Sequence, residues 1–245
     1  MPYAVTFDFH NTLARCDSWF ELEVRRLVPA FLQWHATESR DDIDPATLEA
    51  AAASYRDLRR EIIQHGNELT AERCVATVLD RLGLSATDAE IARGVESLMR
   101  AASADLTPIP GAIDLVLALR KEGIILGVVS SAVHHPFLEW SLASFGILDA
   151  FSNIVTSASA GYYKSRTEIY SHALDSLGVS PDGAIHIGDS LKWDVSMAKR
   201  AGMKTIWLNP MRLSSDQEPD LDLTTLVGAL PNVLTLMCSD RGAAS

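Results

Sequence analysis

The stretch Tyr3-Ala4-Val5-Thr6-Phe7-Asp8-Phe9-His10-Asn11-Thr12-Leu13 decides the fold. Residues 3–9 are apolar, aromatic and β-favouring, with no charge before Asp8, and read as a buried strand. Asp8 breaks the run, His10 follows two residues later, and Asn11-Thr12 is a turn-prone pair. A strand that delivers a carboxylate to its carboxyl end is where open α/β sheets place their chemistry. The rest of the chain is then read for polar groups that could meet Asp8.

The region from about 17 to 104 has a different texture. It is rich in Ala, Leu, Glu and Arg and contains no convincing strand. Trp19, Leu22, Leu27, Phe31 and Trp34 fall near helical spacing. Asp44-Pro45 supplies an N-cap and an N1 proline for a second helix that runs to His65-Gly66. Thr70 opens a third helix that ends near Gly83, and Thr87 or Asp88 opens a fourth that fades at 101–104. Four helices without a strand, inserted after the first strand, predict a helical subdomain. Its aromatics, Trp19, Phe20, Phe31 and Trp34, are expected in its core, with one of them free to line a substrate pocket.

Pro108-Ile109-Pro110-Gly111 marks a change of rhythm, after which helices and strands alternate. Helices are expected over 112–122, 135–145, 166–177 and 193–201, and strands over 124–129, 154–155, 184–187 and 204–208. Residues 211–222 read as a polar loop, 223–230 as a last helix, and 239–245 as a frayed end. This alternation predicts a parallel sheet with helices on both faces, a Rossmann-like three-layer α/β/α core.

Composition narrows the classes of function. The chain has 245 residues, 47% of them hydrophobic, enough for a large core with a smaller second domain. Its 21 basic and 32 acidic side chains give a net charge of -11, which argues against a nucleic-acid surface. A small anionic substrate stays possible, because a metal ion or one lysine reverses the local sign. Three scattered cysteines without a CxxC pair suggest reduced thiols rather than a disulfide or zinc framework. No signal peptide is evident, and no apolar run approaches the roughly 20 residues of a membrane span. The expectation is a cytoplasmic protein with no membrane partner. Its oligomeric state is left open.

In a parallel sheet all strands point their carboxyl ends the same way. Asp8, His10, Ser130, a loop carrying Lys164, and Asp189 with Asp194 should therefore cluster. Carboxylates from separate strand ends suit a hard cation such as Mg²⁺, which keeps water and substrate phosphate in its shell. A serine and a lysine suit the remaining phosphate oxygens, and Asp8 could attack phosphorus as a carboxylate nucleophile. His186 reads as a packed core histidine, and His134 and His135 as surface residues at a helix start.

These residues carry a family resemblance. Residues 7–13 resemble the first motif, DxDGT, of the haloacid dehalogenase-like superfamily. Val128-Val129-Ser130-Ser131 resembles the second motif, and Gly161-Tyr162-Tyr163-Lys164-Ser165 the third, GxxKP. Gly188-Asp189-Ser190-Leu191-Lys192-Trp193-Asp194, with Ala198 and Ala201-Gly202-Met203, resembles the fourth, GDSxxxD then AxxAGM. The resemblance implies a core of residues 1–14 and 106–245 with a cap at 15–105, a small phosphorylated metabolite bound between them, and Mg²⁺. It implies Asp8 as nucleophile and His10 as acid/base. Ser130, Ser131 and Lys164 would hold the phosphoryl group. Asp8, the His10 backbone carbonyl, Asp189 and Asp194 would hold the metal.

Three positions depart from the pattern: His10 stands for the second aspartate, Asn11 for glycine and Ser165 for proline. Histidine can fill an acid/base role, with an ordinary pKa of about 6.5. Two other readings accompany the phosphatase. One is a weakly active or non-catalytic family member that binds a phosphorylated ligand or a partner. The other is a dehalogenase-like hydrolase acting at carbon.

Overall fold

Strand β1 (Ala4–Phe7) is buried along its whole length. It is central: it pairs on both sides, and its apolar residues face helices on both faces. The structure, a computed structural model, describes residues 3–239. After the turn at Phe9–Leu13 the chain forms β2 (Ala14–Arg15), which pairs antiparallel with β3 (Thr107–Pro108). This two-stranded ribbon was not foreseen from sequence. Its residues lack any alternating pattern, and its pairing joins positions separated by the whole helical insertion.

Five helices fill the insertion: α1 (Asp17–Glu21), α2 (Leu27–Ser39), α3 (Pro45–His65), α4 (Ala71–Leu82) and α5 (Asp88–Ala102). The capping signals act as expected. The Asp44 carboxylate accepts the Thr47 N–H, and Thr87 and Glu90 form a reciprocal capping box. Gly66 and Gly83 close α3 and α4 with positive φ. The first predicted helix, however, is broken by a π-helical turn at Leu22–Arg26. The reason lies in the apolar spacing. From Leu22 to Leu27 is five residues, one more than an α-helical face allows, and a π turn absorbs the extra residue.

The main sheet continues through β4 (Ile125–Ser130), β5 (Asn153–Thr156), β6 (Ala184–Gly188), β7 (Lys204–Leu208) and β8 (Leu221–Leu223). Its order is β5-β4-β1-β6-β7-β8, and every pair is parallel. The intervening helices are α6 (Ala112–Lys121), α7 (His135–Ser144), α8 (Ser157–Ala160), α9 (Glu168–Leu177) and α10 (Ala198–Arg200), followed by α11 (Leu230–Cys238). Alternate strand residues serve opposite faces. Val5, Phe7 and Val128 pack with Leu115, Leu119 and Phe137, whereas Ala4 and Val129 pack with Ile169, Tyr170 and Leu174. The fold is thus the expected Rossmann-like α/β core with a helical insertion. The chain order reverses beside β1, which places the crevice for chemistry at the carboxyl ends of β4, β1 and β6.

The C-terminal part differs from expectation. Residues 221–223 form an edge strand, and the last helix spans Leu230–Cys238 instead of 223–230. Pro231 in the first turn was the start signal, and Gly228 at φ 69 separates the helix from what precedes it. The 193–201 helix is mostly a second π-helical segment, Leu191–Met197. The frayed end expected at 239–245 lies, beyond Ser239, outside the described residues. No helix among the described residues is long and apolar enough to cross a membrane.

Candidate active site

Four elements deliver charge to one point. Asp8 follows β1, Lys164 sits between α8 and α9, Asp189 follows β6, and Asp194 lies in the π segment after it. Lys164 is buried and donates to Asp8 Oδ1 at 2.6 Å and to Asp194 Oδ1 at 2.5 Å. Asp8, Asp189 and Asp194 each offer an oxygen within 4.8 Å of the others. His186, the expected core histidine, is fully buried and does more than pack. Its Nε2 lies 3.2 Å from Asp194 Oδ1 and its Nδ1 2.8 Å from Thr6 Oγ1, so it orients Asp194 from behind.

One lysine cannot balance three carboxylates. Burial, opposed by Lys164 and aided by Asp194 and Asp189, pushes the Asp8 carboxyl up to about 7. Burial and Asp194 push Asp189 up to about 6, against a hydrogen bond from Asn11. Burial also acts on Asp194, but Lys164 and His186 outweigh it and hold that carboxyl well below the usual range. An excess of buried negative charge with oxygen donors only is the donor set of a hard divalent cation. The three carboxylates therefore fit Mg²⁺.

Asn11 explains its own departure from the family pattern. Its φ is 62, in the left-handed region that glycine and asparagine tolerate best. Gly188 has a steric duty. A Cβ there would stand 2.3 Å from Asp194 Cγ and 2.5 Å from its Oδ2. Gly188→Ala is expected to displace Asp194, with a loss of about 1–3 kcal/mol from overpacking. Melting curves with and without a divalent cation check this: a cation-induced shift as large as in the wild type would refute it.

Ser130 ends β4, is buried, and lines the same cavity of about 300 Å³ as Ser131, Lys164 and the carboxylates. The Ser131 hydroxyl is buried beside the Tyr163 hydroxyl. His10 also lines this cavity, but its ring is held by the insertion. It stacks on Phe20 at 4.6 Å between centroids and tilts against Trp19 at 5.8 Å. Its Nε2 is buried without a hydrogen-bond partner among the described residues and lies 4.0 Å from Asp17 Oδ1. Burial lowers the His10 pKa, and Asp17 only partly offsets this. The neutral ring is the favoured form.

The opposite wall of the cavity comes from the insertion. It carries Glu23 on the π turn, Arg59 on α3, Trp19 and Phe20. Arg59 is paired with the buried Glu68, Nη1 to Oε1 at 2.6 Å, and Glu68 also accepts from Ser157 Oγ at 2.8 Å. The segment at 66–71 is hydrogen-bonded to the core through Glu68 N–H to Gly161 O at 3.0 Å and Ala71 N–H to Val133 O at 2.8 Å.

The sequence of residues 3–202 matches the family described as haloacid dehalogenase-like hydrolases. The chain belongs to this family. A glyceraldehyde 3-phosphate phosphatase of Methanopyrus kandleri is 29% identical over 223 residues, 91% of this chain and 90% of that protein. The pyrimidine 5'-nucleotidase YjjG of Escherichia coli is 30% identical over 247 residues, 96% of this chain and 97% of that protein. Among solved structures, a 2-haloacid dehalogenase from Pseudomonas syringae shares the fold, with a TM-score of 0.71 at 21% identity, covering 96% of this chain and 99% of that one.

In this haloacid dehalogenase-like hydrolase, some cavity residues escaped the sequence reading. Glu23 and Arg59 belong to no strand-end motif, nor does Glu68, which holds Arg59 from outside the cavity, and periodicity does not reveal which insertion residues face the core. A buried Glu23 had one available signal: it sits beside the five-residue step that breaks the apolar stripe. His134, expected at the surface, is buried at the end of the β4 loop, with its ring against Trp140. Of the insertion aromatics, Trp19 packs on the core residues Phe9 and Phe137, so it is not confined to the insertion. Phe20 is partly exposed and covers His10.

Proposed function

We propose that this protein is a Mg²⁺-dependent phosphatase of small organic phosphomonoesters. The observation that carries the reading is the cluster of Asp8, Asp189 and Asp194 around Lys164. A hydrolase acting at carbon on halides has no need of three converging carboxylates, and the two relatives compared above by sequence are named as a phosphatase and a nucleotidase. Residues 15–105 serve as a cap over a core of 1–14 and 106–245, with substrate between them.

Asp8, Asp189, Asp194 and the His10 backbone carbonyl would hold Mg²⁺. When bound, the cation supplies positive charge against the phosphoryl oxygens and the carboxylates. Ser130, Ser131 and Lys164 grip the same oxygens. Lys164, already against Asp8 Oδ1, orients the carboxylate for attack on phosphorus. The new bond is Asp8 oxygen to phosphorus, and the bond that breaks is phosphorus to the substrate oxygen. Water then cleaves the aspartyl-phosphate and returns Asp8 and inorganic phosphate.

His10 is the proton carrier in this scheme, and its surroundings favour one half of the task. A neutral ring accepts a proton from the attacking water more readily than it donates one to a poor leaving group. Activated aryl phosphates are therefore expected to turn over much faster than alkyl phosphates. Replacing His10 by aspartate should raise kcat on alkyl phosphates by about tenfold or more and change aryl phosphate turnover little. A lower alkyl rate in that variant would remove the acid/base role from this position. The whole reading is tested by a phosphomonoester panel with Mg²⁺ and with EDTA. Turnover that survives EDTA would sink it.

A further inference from the structure

The cavity has two chemically different ends, and the proposed reaction uses only one. The core end holds Asp8, Lys164, Asp189 and Asp194. The cap end holds Glu23 and Arg59, which take no part in phosphoryl transfer. Arg59 is already matched by Glu68. Glu23 is matched only in part, by a hydrogen bond from the Val133 backbone to its carboxyl. It is only 3% exposed, and its Oε2 is buried without a hydrogen-bond partner among the described residues. A buried carboxyl oxygen with nothing to accept from is rare in folded proteins and calls for a reason.

The backbone around it points the same way. Glu23 stands in the π turn Leu22–Arg26, where the extra residue rotates it onto the buried side of a helix. π turns are costly to keep and recur at functional sites. Four residues earlier, Trp19 lines the same cavity, and its Nε1 is likewise buried without a partner. The cap wall thus offers a carboxyl acceptor and an indole donor, both unsatisfied. Burial pushes the Glu23 carboxyl up to about 8, Arg59 opposing and Glu68 assisting, so near neutral pH it carries no full charge.

The choice of ligand follows from this pair. A carboxylate would find the cation of this wall, Arg59, already committed to Glu68, and would add a negative charge beside that pair. An ammonium would lie near the Arg59 guanidinium. An alkyl chain would leave both polar groups dry and unpaired. A hydroxyl, which donates and accepts, satisfies them together. We infer that Glu23, with Trp19, is a specificity residue that selects phosphomonoesters whose leaving group carries a hydroxyl, and disfavours those that end in a carboxylate or a bare alkyl chain. This inference rests on the phosphatase reading of the same cavity.

The test compares glycerol 3-phosphate, propyl phosphate and 2-phosphoglycolate with the full chain and Mg²⁺. The wild type is expected to favour glycerol 3-phosphate in kcat/KM by about tenfold or more over each of the other two. In Glu23→Met the preference over propyl phosphate should fall below about threefold. The melting temperature of the empty protein should rise by about 2–4 °C, because a lone buried carboxyl is replaced by an apolar chain of similar length. If Glu23→Met does not fold, Glu23→Leu should still lower the preference, and its melting temperature replaces that of Glu23→Met. A wild-type ratio near one, a ratio unchanged by the variants, or a lowered melting temperature would overturn the inference.

The two readings separate cleanly. Absence of turnover with every ester, an activated aryl phosphate included, counts against the phosphatase. Thermal shifts in the Asp8→Asn background then decide the inference by themselves. A larger shift with glycerol 3-phosphate than with propyl phosphate, lost on adding Glu23→Met, supports it. Equal shifts refute it.

Discussion

Asp8→Asn lowers turnover of every phosphomonoester by about a thousandfold or more, to near background, while the fold persists. The chemical half of this expectation is simple, since an amide is not a nucleophile toward phosphorus. The structural half follows from the charge balance around Lys164. That ammonium keeps Asp194 Oδ1 at 2.5 Å when Asp8 is neutralised. Asp8 in its ionised form is held against burial and against two neighbouring carboxylates. The asparagine is nearly isosteric and relieves both. In EDTA the variant should therefore melt at the wild-type temperature or above it. In Mg²⁺ its thermal shift should shrink, because one of three carboxylate ligands is gone. Steady-state assays and paired melting curves check each part. Turnover within tenfold of wild type would remove Asp8 as nucleophile. A melting temperature well below wild type would show that Asp8 serves chiefly to pair with Lys164.

The same cluster marks how far residues can be read without coordinates. Strand β1 was legible because a parallel strand is buried on both faces, so its composition alone reveals it. Asp8, Ser130 and Asp189 were legible for a topological reason: each is at or just after the end of a parallel strand, and parallel strands share a direction. Lys164 depended on a motif, because a loop lysine has no periodicity to place it. What was not legible depended on packing between distant segments. The orientation of His10 is set by Phe20 and Trp19, which come from a helix on the other side of a tight turn and a short ribbon. The Arg59–Glu68 pair joins α3 to the tie between insertion and core, and nothing local distinguishes those two residues from the other charges of the insertion. The π turn was half legible. The five-residue gap from Leu22 to Leu27 was present in the sequence, but a gap in an apolar stripe can also be a bent helix or a loop.

Glu23 carries the second large effect, on the dependence of stability on pH. Its ordinary pKa of 4.5 is pushed up to about 8, by burial first, with Arg59 lowering it and Glu68 raising it. The sign follows from proton counting. Between these two values the folded protein holds a proton that the unfolded chain has released, so stability falls as pH rises. The contribution is fully present below the unfolded value and is lost as pH climbs through about 8. Its size is on the order of a few kcal/mol, or roughly 10 °C or more in melting temperature for a chain of this length. Glu23→Gln removes the titration and keeps the size of the side chain. The difference between variant and wild type should therefore widen steadily from about pH 5 to pH 8, with the variant the more stable. Saturating Mg²⁺ in both samples holds the carboxylate cluster charged, and subtracting one curve from the other cancels what remains of its titration. A constant difference across that range would mean that Glu23 is ionised throughout, paired with Arg59 in solution and not held as a buried acid. A variant less stable than wild type at every pH would make the carboxylate itself a structural partner of the cap.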